Sequence, residues 1–152
     1  MPAPLSKLLQ DTVVSHLTAI AALAGVPVVG RRKGIITNDI EAAVATIGAC
    51  LYVFPALPVE VNPNLPGPYV SKLQIRVRAI EAPAINETLP DAYELAEAVL
   101  TGLHEANFAA VEGLEGINPV QCLSRPIEEI ADDERIIFDV TFETSGGLPA
   151  ST

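Results

Sequence analysis

The sequence predicts an α+β fold, in which two main helices pack on a mainly antiparallel four-stranded sheet and a long proline-rich arm or loop projects from it. Two observations carry this prediction. Apolar residues recur every three or four positions in two segments, as in amphipathic helices, and they alternate with polar residues in two others, as in half-buried strands. The 152 residues suit one domain, which we expect at 1–145, with a flexible tail at 146–152.

The first main helix is predicted over residues 6–24. Its apolar stripe consists of Leu9, Val13, Leu17, Ile20 and Ala24, and Gly25 follows as the residue that ends the helix. Residues 30–34 then form a flexible basic loop. Asn38 or Asp39 is suited to cap a short helix after this loop. An apolar run at 49–54, between a glycine and a proline, has the length of a strand.

A cluster of prolines follows this strand. Its members are Pro55, Pro58, Pro63, Pro66 and Pro68. Because proline has no N–H to donate to a strand ladder, residues 55–68 are predicted to form a long extended loop or arm. An ordinary connection and an arm that reaches a neighbouring subunit both fit this composition.

Two strands show the clearest alternation in the chain. In residues 72–79, one face carries Leu73, Ile75, Val77 and Ala79, and the other carries Lys72, Gln74, Arg76 and Arg78. In residues 136–144, the inward positions are Ile136, Phe138, Val140 and Phe142, and the outward ones include Asp139, Thr141 and Glu143. If these strands are neighbours, the basic face of one lies beside the acidic face of the other, at about 0.2–1 kcal/mol per cross-strand pair.

The second main helix is predicted over residues 91–108, with Thr88 as its N-cap. Its apolar stripe consists of Ala92, Leu95, Ala96, Val99, Leu103 and Ala106. The acidic residues off this stripe, which we expect in solvent, are Asp91, Glu94, Glu97 and Glu105. The fourth strand is predicted over 120–130, with a break at Pro126 that suggests an edge position or a bulge.

Charge is segregated along the chain. Nineteen acidic residues oppose nine basic ones, and the net charge of −10 divides into +3 over residues 1–80 and −13 over residues 81–152. Specific binding to nucleic acid is therefore not expected, because neutralising phosphates requires an excess of Lys and Arg. A candidate acidic surface consists of Glu128, Glu129, Asp132, Asp133 and Glu134. Two explanations of this segregation remain open: a solvated acidic face, or a polarised surface through which copies of the chain contact each other.

The sequence offers no constellation for catalysis or for a cofactor. Residues 25–32 have the glycine spacing of a phosphate-binding loop, but Arg31 stands in place of the lysine and Arg32 in place of the Ser or Thr that would hold magnesium. The two histidines and two cysteines do not have metal-ligand spacing. We expect a protein that is not an enzyme and holds no metal, with Cys50 and Cys122 as free buried thiols.

The N-terminal segment does not predict targeting to a membrane. Its apolar character is interrupted by Asp11 and His16, unlike a signal peptide, and the longest apolar run, 17–30, is too short to span a bilayer. A soluble intracellular protein is expected.

The order of these segments resembles that of small structural proteins of phages and prophages. It comprises the series Ile47-Gly48-Ala49-Cys50-Leu51-Tyr52-Val53, the proline-rich segment, the strand that leads into 78–87, the alanine-rich helix 91–108 and the final strand Phe138-Asp139-Val140-Thr141-Phe142. Among such proteins the chain is most similar to the tail terminator, or tail completion, proteins of long-tailed phages.

This resemblance implies a subunit that assembles as a ring, expected to be a hexamer, on the end of the tail tube. The ring would stop tube polymerisation and provide a surface for head joining, and the family brings no catalytic residues or cofactors. The implied partners are copies of itself, the tail tube and head-completion proteins, first in the host cytoplasm and then in the virion tail. By position, the contacts fall on Arg31, Arg32 and Lys33 and on the proline cluster, and an acidic lumen would let DNA pass.

Two other classes remain open. One is another neck or baseplate-associated phage component. The other is a small α+β ligand-binding or catalytic domain whose pocket is not visible in the sequence.

Overall fold

A computed structural model describes residues 5–30, 42–62, 69–111, 114, 117–123, 127–132 and 135–149 of the chain. Several predicted contact residues lie outside these ranges: Arg31, Arg32, Lys33, Pro63, Pro66, Pro68, Asp133 and Glu134. The same holds for the predicted caps of the short helix. For Pro58, Glu128, Glu129 and Asp132 the backbone is described.

The described residues contain two long helices and seven strands. In chain order these are α1 (Leu5–Thr18), β1 (Val28–Gly30), β2 (Ala49–Val53), β3 (Leu57–Asn62), β4 (Tyr69–Glu81), α2 (Ala92–Leu103), β5 (Gln121–Cys122), β6 (Ile127–Asp132) and β7 (Arg135–Pro149). A 3-10 turn at Ala21–Leu23 follows α1, and residues 42–46 are helical.

The strands form one sheet in the order β1-β2-β4-β7-β5, and β3 also pairs with β4 and β6 with β7. All pairings are antiparallel except the parallel pair of β1 and β2. The predicted α+β class is confirmed, but the sheet has seven strands where four were expected. Three-residue β1 and two-residue β5 are too short to show an alternating pattern, and the predicted strand 120–130 is two separate strands.

Part of the predicted proline-rich arm is a strand. Leu57–Asn62 pairs with the first half of β4 although it contains Pro58. The register shifts between Pro58 and Glu60 and again between Glu60 and Val61. Proline is tolerated there because β3 pairs only with β4 among the described residues, so its other edge needs no ladder donor.

The end of the chain also differs from the prediction. Strand β7 continues to Pro149, and Tyr69 and Val70 of β4 pair with Pro149 and Leu148. Residues 146–149, predicted as the start of a flexible tail, are therefore part of the sheet. The sequence does not predict this part of the strand, because the alternation of apolar and polar side chains stops before its glycines.

Helices α1 and α2 cover one face of the sheet. The predicted stripe of α1 supplies Leu9, Val13 and Leu17, each fully buried, although the helix ends at Thr18 and not at residue 24. They meet the predicted inward residues of β4 and β7 and the buried stripe of α2, which consists of Ala92, Leu95, Ala96, Val99 and Leu103. This cluster is the main core of the described residues.

The N-cap of α2 is Asp91 and not Thr88. The Asp91 carboxylate accepts the Glu94 N–H at 2.8 Å, and the Glu94 carboxylate accepts the Asp91 N–H at 3.4 Å. This reciprocal capping box satisfies two N–H groups that the first helical turn would otherwise leave unpaired. The helix also ends earlier than predicted, at Leu103.

Candidate assembly surface

The face of the sheet opposite α1 and α2, which we call the helix-free face, carries most of the polar side chains of β4 and β7. One end of it is closed by a small apolar cluster of Val44, Cys50, Ile80, Ala82 and Ile137. Beyond this cluster, Arg78 lies opposite Asp139, Arg76 opposite Thr141 and Gln74 opposite Glu143. β4 and β7 are therefore neighbours, and the basic face of β4 lies beside the acidic face of β7, as predicted for neighbouring strands.

Two ion pairs join these strands. The Arg78 guanidinium donates from Nε to Asp139 Oδ1 at 2.8 Å and from Nη2 to Oδ2 at 3.0 Å, which is a bidentate contact. Lys72 Nζ lies 3.9 Å from Glu143 Oε1, across one diagonal of the ladder. Part of the charge segregation is thus internal pairing between strands that are far apart in the chain.

An aromatic and cationic stack lies beside these pairs. Arg76 Cζ is 3.8 Å from the centre of the Phe54 ring, and the rings of Phe54 and Tyr52 have centres 4.4 Å apart. The Phe54 N–H donates to the Arg76 carbonyl at 3.0 Å, which fixes the two residues relative to each other. Arg76 is exposed and Phe54 half-buried, so the stack presents a positioned guanidinium to solvent.

The sequence alone does not predict this stack. Arg76 lies on the predicted outward face of its strand, but in the sequence Phe54 is only the end of an apolar run. Their contact depends on the register of β2 on β4, which pairs Tyr52 with Arg78 and Val53 with Val77. The register between two strands that are distant in the chain cannot be predicted from a single sequence.

The solvent-exposed flank of α2 is acidic. Tyr93, Glu94 and Glu97 are exposed, Tyr93 by 59%. The Tyr93 ring packs edge-on against Phe138, with centres 5.0 Å apart, which holds it in place. The helix contains no Lys or Arg, so its carboxylates are not neutralised within it. The predicted solvent exposure of these acids is confirmed.

A buried hydrogen-bond centre fixes the start of α2. Glu81, at the end of β4, is 5% exposed. One of its carboxylate oxygens accepts the Ala92 N–H at 2.9 Å, and the other accepts the Asn86 amide at 2.7 Å. The Asn86 amide also donates to the carbonyls of Leu89 and Pro90, and its oxygen accepts the Leu89 N–H. The acidic flank therefore has a defined position relative to the sheet.

An open groove of about 470 Å³ lies at the same end of the molecule. It is lined by Gly25, Thr46, Ile47, Ala84, Ile85, Glu87, Thr88 and Leu89. Ile47 and Ile85 are 40% and 39% exposed. Its openness and the single carboxylate in its lining give it none of the enclosed, convergent polar geometry of a small-molecule site.

The residues with the most reactive side chains are held by structural contacts. His16 Nε2 lies 2.7 Å from the Gly102 carbonyl, and His104 Nδ1 accepts the Cys122 N–H at 3.2 Å. Burial raises the pKa of the Cys50 thiol to about 12. Cys50 and Cys122 are free, as predicted, although Cys122 is half-buried.

Across the described ranges, no three His, Cys, Asp or Glu side chains converge as a metal site would require. Within the same ranges, no helix has the length and apolar character needed to cross a bilayer.

The predicted contact residues are only partly described. Pro55 is half-buried directly after Phe54, next to the aromatic and cationic stack. Pro58 lies in β3, and Glu128, Glu129 and Asp132 lie in β6, where Glu128 and Glu129 pair with Phe138 and Ile137 of β7. The basic loop and the acidic residues 133 and 134 lie outside the described residues.

Comparison with known proteins gives a likeness at the level of the fold. No protein family and no curated protein matches the sequence. Among solved structures, the fold is similar to that of a chain in the virion of a native gene transfer agent particle, with a TM-score of 0.59 and 18% sequence identity. The likeness covers 91% of this chain and 93% of the other, so the two chains share their fold over nearly their whole lengths.

Proposed function

We propose that this chain is a non-enzymatic structural protein of a phage-like virion, and more specifically a ring-forming tail terminator. The observation that carries the proposal is the fold shared with a gene transfer agent virion chain over nearly the full length of both. The order of elements in the sequence, which resembles tail terminator proteins, supports the narrower role.

The surfaces of the chain support a role in assembly. The helix-free face carries an exposed Arg76 on an aromatic stack, and the opposite side of the molecule carries the acidic flank of α2. A ring requires two different surfaces that fit each other, because each copy contacts the next in the same head-to-tail sense. We propose six copies, which join the tail tube on one side and head-completion proteins on the other.

The proposed ring also suits DNA passage. With a net charge of −10 per chain, a lumen lined by acidic residues would repel the phosphates and leave the genome mobile. The protein would assemble in the host cytoplasm and remain in the tail of the virion.

Deletion of the gene from an inducible element that encodes it tests the proposal. Electron microscopy of the induced lysate should show tail tubes of irregular length and filled heads without tails, and a plasmid copy of the gene should restore joined particles. Tubes of regular length beside unjoined heads would indicate that the protein is a neck adaptor and not a terminator. The absence of tubes would indicate a baseplate role. Normal particles would refute a structural role and favour a ligand-binding domain.

A further inference from the structure

We infer that the Arg76–Phe54 stack of one copy receives the α2 flank of a second copy, through Glu97 and Tyr93, so that copies of the chain join head to tail. The inference rests on the proposed ring and names its interface. It follows from three features: the position of Arg76, the composition of the α2 flank, and the placement of the two on opposite sides of the sheet.

Arg76 differs from the other cations of its face. Arg78 is paired with Asp139, and Lys72 lies near Glu143. Among the described residues, the contact that Arg76 makes is with the Phe54 ring and not with a carboxylate. Its guanidinium is exposed and already positioned, so a carboxylate from another molecule can accept its N–H groups in a bidentate contact with little loss of side-chain freedom.

The α2 flank offers the matching chemistry. Tyr93 and Glu97 are four residues apart, so their side chains are neighbours on the same side of the helix. Both are exposed, and the ring of Tyr93 is held against Phe138. An aromatic ring beside a carboxylate on α2 therefore matches an aromatic ring beside a guanidinium on the sheet. Such a pairing of a buried aromatic contact with a desolvated Arg contact is typical of interface hot spots.

The charge balance favours a second copy over DNA as the occupant. Lys72, Arg76 and Arg78 oppose Asp139 and Glu143, which leaves one positive charge among the described side chains of this part of the face. A DNA-binding surface needs several unpaired cations, because each phosphate contact neutralises one charge. One positioned guanidinium suits one carboxylate of a protein partner, and α2 supplies carboxylates without any cation of its own.

The two surfaces cannot meet within one copy, because the sheet and the core separate them. A two-fold pair would require the stack and the flank of each copy to face the partner at the same time, which their placement on opposite sides of the sheet prevents. Each contact must use the stack of one copy and the flank of the next, which is the heterologous contact that generates a ring.

Charge reversal tests this contact. Arg76→Glu and Glu97→Arg, each alone, should raise the protein concentration needed for half-assembly at least tenfold, as measured by light scattering after size exclusion. Glu97 is chosen over Glu94 because Glu94 belongs to the capping box. The matched controls are Lys7→Glu on α1 and Glu87→Arg before α2, which reverse exposed charges elsewhere and should assemble like the wild type.

Rescue experiments make the test specific. The double variant Arg76→Glu/Glu97→Arg in one chain should assemble again, because every contact then pairs a Glu at 76 with an Arg at 97. An equimolar mixture of the two single variants should also assemble, with wild-type and reversed pairs alternating around the ring. Alternation closes only in a ring with an even number of copies, as in a hexamer.

The same variants are scored for joined particles by complementation of the deletion strain. Single variants that assemble and complement like the wild type, or a double variant and a mixture that both fail while the controls succeed, would overturn the named contact and leave the proposed function standing. A wild-type protein that stays monomeric, together with normal particles from the deletion strain, would overturn the ring itself.

Discussion

Replacement of Asn86 by Ala tests whether the buried hydrogen-bond centre sets the start of α2. The Asn86 side chain makes four polar contacts: its oxygen accepts the Leu89 N–H at 2.9 Å, and its NH2 group contacts the Glu81 carboxylate at 2.7 Å and the carbonyls of Leu89 and Pro90 at 3.1 Å. Because the NH2 group has two hydrogens, one of them is shared between two of these acceptors. Alanine removes all four. It also leaves Glu81, which is 5% exposed, with one described donor, the Ala92 N–H.

The magnitude follows from these contacts. A hydrogen bond to a charged group contributes about 1.5–3 kcal/mol to stability, and a neutral one about 0.5–1.5 kcal/mol. Because water can replace part of the loss beside the half-buried turn, we expect the free energy of unfolding to fall by about 3 kcal/mol. For a chain of this length, this corresponds to a melting temperature lower by roughly 6–12 °C.

Urea unfolding followed by circular dichroism measures the change. The midpoint should fall while the dependence on urea stays that of the wild type, since the surface exposed on unfolding is unchanged. Asn107→Ala is the matched control, because Asn107 is exposed and its side chain makes one described hydrogen bond, to the Ala109 N–H. If Asn86→Ala lost no more stability than this control, the hydrogen-bond centre would not be what fixes the start of α2.

Four further predictions concern other parts of the fold. A double-mutant cycle with Arg78→Ala and Asp139→Ala should give a coupling of about 1 kcal/mol in urea unfolding, and no coupling would contradict the bidentate pair. Gly48→Ala should lower the free energy of unfolding by about 2 kcal/mol or more in the same assay, because φ is +90° and the new Cβ would collide with the backbone nitrogen of Asn86; a variant as stable as the wild type would disprove that close approach. Burial raises the pKa of Cys50 from its ordinary value of 9.0 to about 12, so iodoacetamide at pH 8 should modify half-buried Cys122 first, as read by mass spectrometry. Because the folded state keeps this thiol proton to higher pH, the free energy of unfolding should fall from pH 9 towards 12 in the wild type, and Cys50→Ala should lack this part of the slope.

The sequence predicted the elements whose pattern is long enough to be periodic. The alternation in β4 and β7 identified both the buried and the charged face of each strand, and the apolar stripes identified α1 and α2. The sequence predicted that the charged sides of β4 and β7 face each other only if the two strands are neighbours, and their pairing in the sheet meets this condition.

What the sequence did not predict depends on contacts between distant segments. β1 and β5 are recognisable only through the strands they pair with. β3 was not predicted because it contains Pro58, and only the folded sheet shows that one edge of this strand needs no ladder donor. The cap of α2 was placed three residues early: Thr88 and Asp91 both carry a suitable oxygen, but Glu94 completes a capping box with Asp91 alone. The Arg76–Phe54 stack required the register of β2 on β4.

The fold divides the charge segregation of the sequence into two parts with different consequences. Arg78 and Asp139, and Lys72 and Glu143, come together across β4 and β7, so this part of the segregation stabilises a single copy. Arg76 and the α2 acids are kept apart by the sheet and core, so these described charges cannot pair with each other within one copy. A chain with a positive charge exposed on one side and negative charges exposed on the opposite side is polar along the line that joins these sides. A head-to-tail ring requires such polarity, whereas a symmetric dimer does not.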